Sequence, residues 1–396
     1  MASERSAPSF PTDRHMSFSV DGVPQRAGAE WYRGEHCNYN PLRDNLATAQ
    51  MLADNVLDGW LPPEPLIGPE TRITAFGSCF ARHIYEWLNA REFKVLNADA
   101  SSSAHIVTMG EGMVNTFSLL EQVRWALEGE HYEGQFWHGP GTTTFEDSEE
   151  ARRDTEKILL QTDVFIITLG LSEIWYDKLT GGVFWRGVPA RLFDPERHAF
   201  RVASFAENKQ NIRALHDLLL KHRPDAKIIF TVSPIPLVAT FRPVSCITAN
   251  SASKALLRGA VDEVYREVSG QGAMFYWPSY ELIQDVFVYP WLDDRRHPRK
   301  PVLNFIMTLF ERWWCQGRGT ELPLAESFAR AMLASGGLQG RIGKRLNRLL
   351  EEHNRDELAA LLADVDETTD TPLTIACARE VLEEWDRAAQ AAAEPT

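Results

Sequence analysis

The sequence predicts an α/β protein whose core is a doubly wound, mostly parallel sheet with helices on both faces. The first observation is a set of short β-rich runs, namely Ile73 to Phe76, Val164 to Leu169, Lys227 to Val232 and Met274 to Trp277. The second is that helical stretches alternate with these runs, with apolar residues spaced three and four apart over 207 to 222 and 253 to 268. Because a helix then connects each strand to the next, we expect parallel strands with helices on both faces.

The two ends of the chain differ in composition from this central region. Residues 1 to 70 are rich in Pro, Asn and Arg and lack regular periodicity, so we expect an irregular lead-in that packs on the core. Residues 319 to 396 are rich in Ala, Leu, Glu and Arg at helical spacing, which predicts an appendage of three or four short helices. The central domain is therefore expected to span residues 71 to 318.

The composition argues against several classes of protein. The 396 residues are 44% hydrophobic and 24% charged, as in an ordinary folded chain. A net charge of −14 makes nucleic acid and anionic membrane surfaces poor candidates as partners. The N-terminus lacks the apolar segment of a signal peptide, no apolar run is long enough to span a membrane, and the five cysteines include no CxxC pair: Cys37, Cys79, Cys246, Cys315 and Cys377. We therefore expect a cytoplasmic protein without a membrane span.

The first β run ends at a turn that suits a nucleophile. Gly77 and Ser78 follow Ile73 to Phe76 and precede a helical stretch. A glycine permits a tight turn and the start of a helix favours negative charge, so a serine hydroxyl here is suited to attack a carbonyl. Two alternatives stay open, since Ser78 can be only the helix cap and the neighbouring Cys79 can be the nucleophile.

An acid and a histidine occur together after the last β run. Asp294 precedes His297 by three residues, in a loop before the helical stretch at 302 to 310. This spacing lets one short loop present His297 as a general base while a carboxylate orients its other ring nitrogen. Asp293 is a second candidate for the orienting acid, and an exposed turn without a functional histidine is the alternative to a site.

Five blocks of the sequence carry a family resemblance. Gly77-Ser78-Cys79-Phe80-Ala81 is letter for letter the string after which the GSCFA family is named, and later blocks at 168 to 175, 231 to 236, 249 to 254 and 294 to 298 resemble that family in the same order. The resemblance covers residues 70 to 315. The GSCFA family in turn resembles the SGNH/GDSL hydrolases, which implies a flavodoxin-like three-layer α/β/α sandwich.

The resemblance also implies roles for particular residues. Ser78 becomes the nucleophile, His297 the base and Asp294 its orienting acid. Backbone amides near Ser78 and at Gly170 would bind the oxyanion. The expected oxyanion and substrate-binding residues are Cys79, Asn115, Gly170, Ser172 and Glu173.

One position departs from the SGNH pattern, in which Gly-x-Asn-Asp follows the middle strand. Here Gly170-Leu171-Ser172-Glu173 has Ser172 where the asparagine amide is expected, and a hydroxyl is shorter. We expect Asn115, at the start of a predicted helix, to supply the missing amide. The alternative is that Asn115 only caps that helix.

No pattern for a metal or nucleotide cofactor is found. His131 and His138 lack the spacing of paired metal ligands, Gly110-Glu111-Gly112 lacks a third glycine and a preceding strand, and Gly343-Lys344-Arg345 lacks the other residues of a P-loop. We expect neither a metal nor a cofactor.

These observations together predict a serine esterase or O-acyltransferase that acts on an acylated carbohydrate or a similar small hydroxyl compound. Tryptophans near the strand ends can stack on sugar rings, with core packing as the alternative: Trp137, Trp175, Trp185, Trp277 and Trp291. The competing interpretation is a non-catalytic glycan-binding or scaffolding module, which the serine at position 172 favours.

Overall fold

The computed structural model describes residues 15–20, 23–28, 38, 40–98, 102–108, 112–134, 136–138, 144–316, 323–366 and 368–393. Cys37, Gly110 and Glu111, considered above, lie outside these residues. The chain divides into two compact units, residues 1–42 and 43–396. In the first unit, β1 (His15–Val20) pairs antiparallel with β2 (Val23–Gly28).

A five-stranded parallel sheet forms the centre of the second unit as described. Its strands are β3 (Arg72–Gly77), β4 (Lys94–Val95), β5 (Val164–Leu169), β8 (Lys227–Val232) and β9 (Met274–Tyr276), in the order β4-β3-β5-β8-β9. Every neighbouring pair is parallel. Numbered along the chain within this sheet, the order is 2-1-3-4-5, which is that of flavodoxin-like sheets. The predicted α/β sandwich is confirmed.

The helices connect and cover these strands. They are α1 (Ala49–Leu52), α2 (Cys79–Ala90), α3 (His105–Thr108), α4 (Thr116–Glu128), α5 (Glu149–Gln161), α6 (Phe205–His222), α7 (Cys246–Val268), α8 (Ser279–Glu281), α9 (Lys300–Trp314), α10 (Leu324–Ala334), α11 (Gly340–Glu352), α12 (Arg355–Ala363) and α13 (Pro372–Ala393). Short 3-10 or π turns occur at Arg43–Leu46, Ala53–Leu57, Leu96–Ala98, Ala190–Leu192, Ser269–Gln271 and Leu282–Val286. Among these described residues, no helix combines the length and apolar character needed to cross a bilayer.

Alternate residues of each strand enter two separate apolar cores. Val164 and Ile166 of β5 pack in the core that contains α2 and α9. Phe165 and Ile167 pack in the core that contains α4, α6 and α7. Neighbouring residues of a strand point to opposite faces of a sheet, so helices must cover both sides.

The C-terminal helices extend one of these cores. Phe328 of α10, Leu346 of α11, Leu358 of α12 and Val381 of α13 are buried in the same cluster as α2 and α9. The predicted helical C-terminal segment is therefore confirmed. Its expected start at residue 319 falls within 317–322, outside the described residues.

An antiparallel hairpin that the β-rich runs did not predict follows β5. It consists of β6 (Glu173–Asp177) and β7 (His198–Val202), which pair from Glu173 with Val202 to Asp177 with His198. The hairpin begins only four residues after Leu169, at the carboxyl end of β5. It therefore contributes side chains to that edge of the sheet.

Candidate active site

The turn after β3 is built for close approach to β5. Gly77 has a φ of +128°, and a Cβ added there would lie 2.3 Å from the Thr168 carbonyl oxygen. Only glycine avoids both the strained backbone and the clash. The next amide, that of Ser78, donates to the carbonyl oxygen of Thr168 at 3.0 Å and to its Oγ1 at 2.7 Å. The end of β5 therefore holds the backbone of Ser78.

Ser78 both caps α2 and lines a cavity. Its Oγ accepts a hydrogen bond from the Phe80 amide at 3.4 Å and shares one of 2.9 Å with Thr168 Oγ1. The residue is 4% exposed, and it borders the cavity together with Cys79. The capping role and access to a ligand are thus compatible at this position.

Gly170 allows the chain after β5 to pass directly beside Ser78. A Cβ added to Gly170 would lie 3.3 Å from the Ser78 Cβ and 2.6 Å from the Val114 carbonyl oxygen. The Gly170 amide donates to that same oxygen at 3.1 Å. Its N–H group, expected as an oxyanion donor, is engaged with the backbone of Val114 in this structure.

A fully buried lysine lies behind this turn. Lys254 of α7 is 1% exposed, and its Nζ donates to the carbonyl oxygens of Gly170 and Ser233, both at 2.7 Å. Burial lowers the pKa of Lys254 to about 7; the neighbouring Cys79 opposes this shift and Arg296 adds to it. Sequence reasoning missed this residue, although it belongs to the block at 249 to 254. The available signal was a lysine at the start of the apolar stretch 253 to 268.

Asp294 and His297 form a local pair. The Nδ1 of His297 lies 2.5 Å from Oδ2 of Asp294, whose Oδ1 accepts the amides of Arg296 at 3.0 Å and of His297 at 3.1 Å. The hydrogen bonds from the Arg296 amide and the His297 ring lower the pKa of Asp294 to about 2. Asp294, rather than Asp293, therefore contacts the histidine ring.

The loop that carries this pair reaches the cavity beside Ser78. Arg296 lines that cavity, and its Nε donates to the Pro236 carbonyl oxygen at 3.3 Å. The described side chains make no hydrogen bond between Ser78 and His297: Ser78 Oγ bonds Thr168 and the Phe80 amide, and the His297 ring bonds Asp294. The two halves of the predicted triad thus share an edge of the sheet without a hydrogen bond between them.

The cavity itself is mostly apolar. It has a volume of about 280 Å³, and aromatic and aliphatic side chains form its walls: Leu171, Trp175, Phe200, Ile235, Leu237, Val238 and Phe241. Trp175 packs against Phe241 and Phe200, with ring centroids 5.0 and 5.5 Å apart. The charged lining residues are Glu173, Arg186 and Arg296. An apolar group attached to a carbonyl at Ser78 would contact these walls.

Comparison with known protein families identifies the central region. The model of the GSCFA family matches residues 72–310, more than half of the chain. The chain belongs to the GSCFA family. The match includes both the Ser78 turn and the Asp294–His297 loop, and no curated protein or solved structure shows a match.

Asn115, which was predicted to supply an oxyanion donor in the GSCFA region, makes other contacts. Asn115 caps α4, since its Oδ1 accepts the Ser118 amide at 2.9 Å, and its Nδ2 donates to the carbonyl oxygens of Phe184 at 3.2 Å and Trp185 at 3.4 Å. Asn115 is 2% exposed and does not border the cavity. Of the two roles considered for Asn115, its contacts fill the capping one.

Ser172 and Glu173 differ from each other in their access to the cavity. The amide and hydroxyl of Ser172, which is fully buried, donate to Ser253 Oγ of α7 at 2.8 and 3.1 Å. The Glu173 carboxylate accepts the Thr240 hydroxyl at 2.8 and 2.9 Å and borders the cavity. Of these two residues, only Glu173 thus borders the cavity.

The tryptophans and histidines considered from the sequence lie in different places in the structure. Trp175 lines the GSCFA cavity, whereas Trp137, Trp185 and Trp277 are buried in the apolar cores. His131 pairs with Asp147 through Nε2 and Oδ2 at 2.8 Å. In the part of the chain that the structure describes, no group of three or more His, Cys, Asp and Glu side chains is arranged to hold a metal ion.

Proposed function

We propose that this GSCFA protein is a serine esterase or O-acyltransferase in which Ser78, His297 and Asp294 form the catalytic triad. One observation carries the proposal. The loop that contains the Asp294–His297 pair sends Arg296 into the cavity that Ser78 borders, at the carboxyl edge of the sheet. Ligands of open α/β sheets bind at that edge.

The hydrogen bonds of the loop suit His297 to act as a base. Asp294 accepts a hydrogen bond from the Nδ1–H group of His297, which leaves Nε2 to receive the proton of Ser78. Because the pKa of Asp294 is about 2, its carboxylate stays ionised throughout the range in which a histidine titrates. The ionised carboxylate then stabilises the imidazolium that forms.

The reaction follows the acyl-enzyme sequence. Ser78 Oγ exchanges its hydrogen bond with Thr168 for one with His297, attacks the ester carbonyl and gives up its proton. The leaving alkoxide takes that proton from His297 as the ester bond breaks. Water or a sugar hydroxyl then attacks the acyl-serine and gives its proton to His297. Ser78 Oγ leaves and takes that proton back, which completes hydrolysis or acyl transfer, respectively.

The cavity supports an acyl ester as the substrate class. Its apolar walls, including Trp175, Phe200 and Phe241, suit the hydrocarbon part of an acyl group. The alcohol part of the ester is a carbohydrate or a similar hydroxyl compound, whose hydroxyl groups can donate to the Glu173 carboxylate at the cavity. The order of the motifs and the 2-1-3-4-5 sheet further support a relationship to the SGNH/GDSL hydrolases.

Labelling with a fluorophosphonate tests this proposal, because the probe reacts with an activated serine. We expect the wild type to be labelled at Ser78, and Ser78→Ala to lose labelling and ester turnover. The variant should still unfold cooperatively, at a lower temperature because the cap of α2 is lost. Cys79→Ala is the matched control and should still be labelled. Labelling that survives in Ser78→Ala and disappears in Cys79→Ala would assign the nucleophile to Cys79.

A non-catalytic glycan-binding or scaffolding module is the second candidate. The observation that favours it is that Asn115, Ser172 and the Gly170 amide, all expected to bind an oxyanion, donate hydrogen bonds to other groups. This candidate predicts that the wild type does not react with the fluorophosphonate. It also predicts that the wild type and Ser78→Ala bind glycans with the same affinity.

A further inference from the structure

We infer that Lys254 is a positioning residue of this site: its ammonium group holds the two backbone segments beside Ser78 and places a positive charge behind the Ser78–Cys79 turn. The catalytic consequence rests on the proposed function. The effect of the Lys254 charge on the Cys79 thiol does not depend on the proposed function.

Lys254 joins the ends of two neighbouring strands. Gly170 directly follows β5 and Ser233 directly follows β8, strands that pair in parallel up to Leu169 and Val232. Nζ donates to both carbonyl oxygens at 2.7 Å. A buried carbonyl without a donor destabilises the fold, so one lysine side chain satisfies two acceptors that an apolar side chain would leave unpaired.

The clamped peptide is the one that borders Ser78. Gly170 lies so near Ser78 that an added Cβ would be 3.3 Å from the serine Cβ. Its amide bonds Val114 on one side and its carbonyl bonds Lys254 on the other. Both Gly170 and Ser233 also line the cavity. The shape of the cavity floor beside Ser78 therefore depends on the position of Nζ.

The charge of Lys254 acts on the same turn. The ionisable groups that face it are Cys79, from the start of α2, and Arg296, from the His297 loop. Burial makes the charged form of Lys254 costly, whereas its two short hydrogen bonds and a negative charge on Cys79 favour it. Lys254 therefore carries its positive charge mainly at and below about pH 7, or when Cys79 is ionised. A cation behind the start of α2 stabilises negative charge on Ser78 Oγ or on the Cys79 sulfur, in addition to the helix dipole.

Cys79 can report this charge without any ester chemistry. Cys79 is the first residue of α2, and Cys246 is the first residue of α7; both are partly exposed. The shared helix position gives both thiols the same kind of dipole. The Cys246 thiol also donates a hydrogen bond to the Leu237 carbonyl oxygen at 3.7 Å. The shift that Lys254→Met causes in the Cys79 profile, with Cys246 as the internal reference, therefore measures the charge near Cys79.

The experiment is alkylation of the full chain with iodoacetamide between pH 5.5 and 9, with each cysteine quantified by peptide mass spectrometry. In the wild type we expect the midpoint of the Cys79 curve to lie about one pH unit below that of Cys246. Lys254→Met should raise the Cys79 midpoint to that of Cys246 and leave Cys246 unchanged. Equal midpoints in the wild type overturn the inference, and that comparison needs no variant to fold.

Lys209→Met is the matched control variant. Lys209 also ties a helix to α7, through Glu263 and Glu267 at 2.6 Å each, but far from the cavity. It should leave both cysteine midpoints unchanged. A shift of the Cys79 midpoint in Lys209→Met as large as that in Lys254→Met would contradict the specific role of Lys254.

A second measurement links the charge to the proposed chemistry. The rate of fluorophosphonate labelling at Ser78 should fall about tenfold in Lys254→Met and stay unchanged in Lys209→Met. If the wild type is not labelled but the alkylation midpoints of Cys79 and Cys246 differ, the proposed function is wrong and the electrostatic effect of Lys254 on Cys79 still stands. Labelling of Ser78 at equal rates in wild type and a folded Lys254→Met would remove the positioning role.

Discussion

The Ser78 turn and the Asp294–His297 loop are held in different ways, although both lie at the same edge of the sheet. Ser78 is 4% exposed, and its backbone and hydroxyl bond to Thr168 on the adjacent strand. The side chains of Asp294 and His297 are 44% and 49% exposed, and their hydrogen bonds lie within their own loop. The proposed nucleophile is thus part of the core, and the proposed base is part of the surface.

Because of this difference, substitutions at the two places should affect stability to different extents. A change near Ser78 disturbs buried hydrogen bonds between strands and should alter both the folding free energy and any reaction rate. A change in the loop removes exposed groups, which contribute little to stability. The distance between His297 and Ser78 depends on a loop that includes Arg295 at a φ of 57°, rather than on the packing of the sheet.

The largest expected effect comes from the loop. His297→Ala should slow fluorophosphonate labelling of Ser78 by about a thousandfold, because the general base is lost. The thermal transition should stay within a degree of the wild type, since the side chain is half exposed. Labelling kinetics and a thermal melt measure the two quantities. Unchanged labelling would remove His297 from the mechanism.

Asp294 and Asp293 provide the next test of the loop. Asp294→Asn should slow labelling by about a hundredfold or more, because the His297 ring loses the carboxylate that orients it. Asp293→Asn is the matched control and should react as the wild type does. A larger loss in Asp293→Asn would mean that the loop rearranges in the reactive state.

Thr168→Val tests the buried side of the comparison. The hydroxyl of Thr168 bonds both the amide and the Oγ of Ser78, so its removal should lower the free energy of unfolding by about 1–3 kcal/mol. Urea denaturation measures this change. Thr248→Val, at an exposed position of α7, should have a much smaller effect. Equal effects would show that the Thr168 bonds do not stabilise the turn.

The smallest expected effect is a pH dependence of stability from Lys254. Its pKa is about 7 in the folded protein and near 10.5 in the unfolded chain, so between these values the unfolded chain binds more protons. The free energy of unfolding should therefore rise with pH, by about 1 kcal/mol from pH 7 to pH 8, relative to Lys254→Met. Denaturation curves at the two pH values measure the difference. A difference that is constant or falls with pH would contradict the depressed pKa.

Features that depend on residues close together in the chain could be predicted from the sequence. The buried strands read as apolar runs because both faces of β5 and β8 are covered, and the helices show their period. The contact between Asp294 and His297 spans three residues, so its spacing was visible in the chain. The two-residue β4 and the β6–β7 hairpin were missed, because the first is too short for a pattern and the second lies outside the apolar runs.

Which polar groups face the cavity depends on contacts between residues that are far apart in the chain. Lys254 meets Gly170 across 84 residues and Ser233 across 21, Ser172 meets Ser253 across 81, and Asn115 meets Phe184 across 69. In the sequence, Asn115 and Ser172 were candidates for the cavity and Lys254 was not. Each buried donor takes whichever acceptor the folded chain brings within about 3 Å, and sequence spacing carries no information on that choice.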